Sequence, residues 1–162
     1  MLYRICVICA LAMPFPALAQ LVVQEPWVRA SAPGQAMSAA YMKLSSPQAV
    51  RVVGASSPLA GVVELHETRM EQGVMKMLPV PAIEIPAGGR AELKPGGYHL
   101  MLMELKHAVK EGESVPLTVV YELAGGARRA VEVTAPVRPL APTQGMGGHS
   151  GMGGHPGMGG PH

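Results

Sequence analysis

Four residues in the middle of the chain, His66, Met77, His99 and Met101, carry side chains that hold soft metal ions. The gaps between them are ten, twenty-one and one residues. Thioether sulfur and neutral imidazole suit copper(I), whereas carboxylate and carbonyl oxygens suit magnesium, calcium or manganese. Two methionines and two histidines thus point to both a metal and its oxidation state. Taken singly, a strand histidine is more often a hydrogen-bonded structural residue, and a methionine more often core filler. Met70, Met75 and Met103 stand near the same positions, so local chemistry alone leaves the choice of Met77 open.

The elements that must position these residues read as strands. Short β-branched runs at 39–44, 50–54, 62–67, 91–93, 98–105, 116–123 and 129–135 are separated by turn signals. Among these signals are Ser56-Ser57-Pro58, Pro95-Gly96-Gly97 and Ala124-Gly125-Gly126. Strands at this spacing predict an all-β domain, a two-sheet sandwich or Greek-key barrel with little helix. Side chains alternate faces along a strand, so His99, Met101 and Met103 share one face, with Leu100, Leu102 and Glu104 on the other. His66 belongs to the 62–67 strand, and Met77 to a loop or short strand after Gly73. Were that stretch a strand, Met75 would share Met77's face. The turn at Pro95-Gly96-Gly97 predicts that His99 and Met101 lie near one end of the sandwich, where an ion can be reached.

Composition supplies the compartment and excludes several classes. Residues 1–19 carry Arg4, an apolar run and a small-residue exit at Ala17-Leu18-Ala19, the pattern of a secretory signal peptide cleaved before Gln20. The run is about half the roughly 20 residues a membrane span needs, and nothing downstream is long enough. A soluble, exported, periplasmic protein is expected, without a lipid anchor, because neither Cys6 nor Cys9 follows the small-residue pattern that anchoring needs. Both cysteines fall inside the leader, so the remaining chain has no disulfide, thiolate zinc site, cysteine nucleophile or blue-copper centre. Without Arg4 there are 12 basic residues against 11 acidic ones, with no basic stripe for nucleic acid. All the acids are glutamate, which argues against calcium loops and aspartate-dependent active sites. Only three histidines fall before the tail, too few for a copper–zinc enzyme, and no enzyme is expected. His107, between Lys106 and Lys110, fits no ligand spacing and is expected at the surface.

Composition changes abruptly at Pro139. A globular domain is expected over 20–138 and a flexible tail over 139–162, in which Met146-Gly147-Gly148-His149 is nearly repeated as Met152-Gly153-Gly154-His155 and partly as Met158-Gly159-Gly160-Pro161-His162. Lacking apolar clusters and rich in glycine, this tail should be disordered without a ligand. It is either a low-complexity solubilising segment or a second metal site. In the second case Met146, Met152 and Met158 suit copper(I), and His149, His155 and His162 suit copper(II). The tail is long enough to fold back over the domain and pass copper to it.

The spacing of His66, Met77, His99 and Met101 resembles the signature of the PCuAC family of periplasmic copper(I) chaperones. Trp27-Val28-Arg29-Ala30, Ala39-Ala40-Tyr41-Met42, Glu64-Leu65-His66-Glu67-Thr68 and Pro95-Gly96-Gly97-Tyr98-His99-Leu100-Met101 are similar to the family as well. The resemblance covers essentially 20–135 and favours Met77 over Met75. It implies a cupredoxin-like Greek-key β-sandwich with one reachable copper(I) on those four side chains. It also implies delivery of copper to the binuclear copper centre of cytochrome c oxidase, through its copper-bearing subunit or another assembly chaperone. A periplasmic copper sequestration or resistance protein is the alternative, distinguished by whether the copper leaves.

Overall fold

The computed structural model describes residues 20–139, which carry ten strands and, among the described residues, no helix. The strands are β1 (Val22–Arg29), β2 (Met37–Ser45), β3 (Val50–Ser56), β4 (Ala60–Glu71), β5 (Val74–Pro79), β6 (Ile83–Ile85), β7 (Arg90–Leu93), β8 (Tyr98–Leu105), β9 (Ser114–Leu123) and β10 (Arg128–Arg138). Hydrogen-bonded order runs β5-β4-β8-β7-β2-β1-β10-β9-β3-β6, with β8 also pairing β2. Only β1–β10 and β7–β8 are parallel. The β1–β10 pairing, at Val28↔Val137 and Arg29↔Arg138, joins the half containing β4 and β8 to the half containing β9 and β3.

The two halves close on one core. Val28, Ala40, Met42, Leu44, Leu65, Leu100 and Leu102 come from the first half, and Val50, Val52, Ile85, Val115, Leu117, Val119 and Val137 from the second. Each fully buried aliphatic side chain stabilises the fold by about 1.5–3 kcal/mol. The all-β expectation is therefore met.

Three strands escape the pattern reading, each for a local reason. β1 contains Pro26 and a register shift between Gln24 and Trp27, with Glu25 at φ 49°. A proline inside an apolar run argues against a strand unless, as here, a bulge accommodates it. β6 is three residues long, between Pro81 and Pro86. β5 lacks a buried face altogether, every one of its residues being exposed.

β4 and β5 form a tight hairpin. Glu71 pairs with Val74 across a two-residue turn in which Gln72 and Gly73 have φ of 51° and 77°. Positive φ at both central residues is what a type I′ hairpin turn requires, and glycine takes it without strain. At the other end of β8, Glu104 does not continue the inward face as alternation predicts. Its φ is 54° and it is exposed. Its Cβ lies 2.9 Å from where a side chain on Gly61 would begin, so the carboxylate is turned out of the core over a glycine.

Candidate metal centre

β4 and β8 run antiparallel in a register that sets His66 directly opposite His99, Leu65 opposite Leu100 and Glu64 opposite Met101. Leu65, Leu100 and Leu102 fill the core. Alternation therefore puts His66, His99 and Met101 together on the outward face. The two imidazole rings are 5.8 Å apart, centroid to centroid. The Lys94–Tyr98 turn, closed by Gly97 N–H donating to the Lys94 carbonyl at 3.0 Å, delivers His99 as the second residue of β8. His99 is only 3% exposed, while Met101 is half-buried.

Met77 reaches the same face from β5, as a strand residue. It pairs with Thr68, and His66 pairs with Pro79, so Met77 is the diagonal same-face neighbour of His66. Its side chain is exposed. Met75, opposite Met70, shares this face one step further out. His107 is exposed and lies outside the cluster. The tail residues Met146, His149, Met152, His155, Met158 and His162 lie outside the described residues, as does the leader expected at 1–19.

The hydrogen bonds of the two histidines settle which nitrogen each offers. His66 Nε2 donates to the Glu64 carboxylate at 2.9 Å. His99 Nδ1 donates to the Gly97 carbonyl at 3.1 Å. A carboxylate and a carbonyl only accept, so each imidazole in its neutral form carries its proton on that nitrogen and leaves the other bare. Those other nitrogens, His66 Nδ1 and His99 Nε2, are the two buried side-chain nitrogens without a hydrogen-bond partner among the described residues. A buried polar atom left unsatisfied costs about 1–3 kcal/mol. Two such atoms on facing residues fit a metal ion that takes both lone pairs.

Burial also disfavours a proton on the bare nitrogen of His99. Burial pushes the His99 imidazole below its ordinary value, and the nearby His66 and Arg29 push the same way against the Gly97 hydrogen bond. The ring therefore stays neutral, and able to ligate, at lower pH than a solvated histidine. The donor set is two thioethers and two imidazoles with no carboxylate, and no group of three or more His, Cys, Asp or Glu side chains able to hold a metal ion occurs among the described residues. Tyr41 flanks the cluster, its ring 6.4 Å from His99 and 4.5 Å from Trp27, tilted 36° to it.

Glu64 and Gly97 are not ligand types for copper(I), and neither would touch the metal. The available signal was the position of Glu64 two residues before His66, on the same strand face. A carboxylate behind a ligating imidazole fixes its tautomer and raises its basicity, and loss of such a partner lowers metal affinity about 10- to 100-fold. We expect Glu64→Ala to weaken copper(I) binding within that range, and E64Q, which keeps an acceptor oxygen, to restore most of it. Competition against a copper(I) chelator measures both. Equal losses in the two variants would mean that the charge, rather than the hydrogen bond, matters.

The fold is shared with proteins of known structure. The structure superposes on the copper-bound PCuAC domain from PmoF2 with a TM-score of 0.59 at 24% identity, covering 74% of this chain and 93% of that one. It superposes on the solution structure of apo-DR1885 from Deinococcus radiodurans with a TM-score of 0.55 at 34% identity, covering 86% and 97%. The copper(I) form of that protein gives 0.50 at 35% identity over 75% and 81%. A protein of Leifsonia xyli subsp. xyli, described as a lipoprotein, is 33% identical over 112 residues, 68% of each chain. The family profile described as "Putative lipoprotein LpqE-like" matches residues 21–137. The chain belongs to this LpqE-like family, with the PCuAC-domain fold that its spacing of histidines and methionines predicts.

Proposed function

We propose that this protein is an exported copper(I) chaperone. It holds one ion on His66 Nδ1, His99 Nε2 and the sulfurs of Met101 and Met77, and surrenders it to a partner. The observation that carries this reading is the pair of bare, buried imidazole nitrogens on facing residues of β4 and β8. The likeness to a protein solved with copper(I) supports it, and the lipoprotein description of the family supports export to the periplasm. No helix among the described residues is long and apolar enough to cross a membrane.

The site is built for transfer rather than storage. Three donors are fixed by strands and partly sheltered, and the fourth, Met77, is on an exposed strand. An incoming ligand displaces the outermost thioether first. The acceptor in this reading is the copper-bearing subunit of cytochrome c oxidase, or another assembly chaperone that serves its binuclear copper centre. The Met- and His-rich tail would bind a second copper, either copper(II) or copper(I), and feed the domain. The test mixes the copper(I)-loaded chain with the apo copper-bearing oxidase domain under anaerobic conditions, beside a chain truncated after Arg138. Copper is expected to move in both cases, with copper(II) uptake reduced in the truncated chain. Copper that stays bound would favour sequestration, and undiminished copper(II) uptake would remove the tail from the scheme.

A further inference from the structure

The β4–β5 hairpin overhangs the sandwich. β8 begins at Tyr98, opposite Glu67, so β4 beyond Thr68, whose N–H still donates to the Gly97 carbonyl at 3.1 Å, has no partner strand on its β8 side. Its two faces differ sharply in chemistry. One carries Glu67, Arg69, Glu71 and Lys76, joined in ion pairs Arg69–Glu67 at 2.6 Å and Lys76–Glu71 at 2.8 Å, with the exposed Val74 and Leu78 beside them and no sulfur. The other, continuous with His66, carries Thr68 and three methionines. Met70, Met75 and Met77 are 66%, 62% and 57% exposed, so none of them is core filler.

Register turns these methionines into a line. Met70 and Met75 are directly opposed, and Met77 follows Met75 on the same face, beside His66. Opposed residues in antiparallel strands have Cβ atoms about 4.5–5.5 Å apart, and the next residue on a face is about 7 Å along. A methionine side chain has three rotatable bonds and spans such gaps.

We propose that Met70 and Met75 form a second, outer copper(I) station that passes the ion to and from the four-donor centre through Met77. This rests on the reading of His66, Met77, His99 and Met101 as the inner site. Copper on the Met70 and Met75 sulfurs gains a bond to the Met77 sulfur and loses Met70. It then gains His66 Nδ1 and loses Met75 as His99 Nε2 and Met101 close around it. The metal remains copper(I) throughout, and no proton moves, because thioethers and the two bare nitrogens need not be deprotonated. Two neutral thioethers hold copper(I) less firmly than the mixed inner set, so the gradient runs inward when the protein fills. It runs outward when an acceptor captures the ion at the hairpin.

The test is a titration of the full chain, labelled with carbon-13 at the methionine methyls, with copper(I) under anaerobic conditions. The wild type is compared with the double variant Met70→Leu, Met75→Leu. The first equivalent is expected to shift Met77 and Met101, and copper(I) added beyond it, shared with the tail, to shift Met70 and Met75, each resolved from the tail methionines. The double variant should keep the first step but load about tenfold more slowly, having lost the local concentration of ion beside Met77. Met70 and Met75 methyls that stay still until the tail methionines are saturated, or a variant that loads at the wild-type rate, would overturn the outer station. Failure of Met77 and Met101 to respond to the first equivalent is a different result and would overturn the inner site itself.

Discussion

Replacing His66 and His99 together by alanine is expected to abolish tight copper(I) binding by the domain. The loss should exceed the roughly 10- to 100-fold attached to removing a hydrogen-bonding partner of a ligand, because it removes two donors outright. These two side chains meet across one register position, and their bare nitrogens are buried. No other histidine among the described residues can substitute, since His107 is exposed and away from the cluster. Single methionine changes should be graded. Met77→Leu should cost more than about tenfold, or 1.4 kcal/mol, and Met75→Leu almost nothing at equilibrium, because Met75 lies one step beyond the inner set. Competition against a copper(I) chelator reads all three. Thermal melts of the apo proteins guard against a folding artefact, as His99 is nearly fully buried. Tight binding that survives in the double histidine variant would move the site to the tail, and equal losses at Met75 and Met77 would mean that the two thioethers share one role.

How much of the fold and the site is legible in the amino-acid sequence follows from the range of each interaction. The common face of His99 and Met101 needs only strand alternation, a local rule, and Leu100 and Leu102 confirm it by filling the core. That His66 lies opposite His99 is a matter of register between strands over thirty positions apart, and spacing along the chain contains no direct record of it. Glu104 breaks the alternation because a left-handed backbone turns its charge outward above Gly61, where no side chain stands in the way. Met77's strand is hidden for the opposite reason. Strand patterns are read from one apolar and one polar face, and β5 overhangs the sandwich with both faces exposed. The tautomers of the two histidines depend on Glu64 and Gly97, neither of which looks like a ligand.

The same alternation that displays the ligands also anchors them. Leu100 is fully buried between His99 and Met101 in sequence, and it is opposite Leu65 on β4 and Ala40 on β2. We expect Leu100→Ala to destabilise the apo protein by about 2–5 kcal/mol, the transfer energy of the lost atoms plus the cavity they leave. Urea unfolding should register this as a lower midpoint with an unchanged slope. The effect on copper(I) affinity should be much smaller. β8 is hydrogen-bonded on one side to β4 and on the other to β2, so backbone ladders rather than the Leu100 side chain fix the separation of His66 and His99. Copper should therefore stabilise the variant by nearly the same increment as the wild type, because that increment depends only on ligand concentration and Kd. A variant that loses stability and copper(I) affinity in parallel would mean the opposite: that packing beneath β8 holds the two imidazoles in place, with the ladders free to shift.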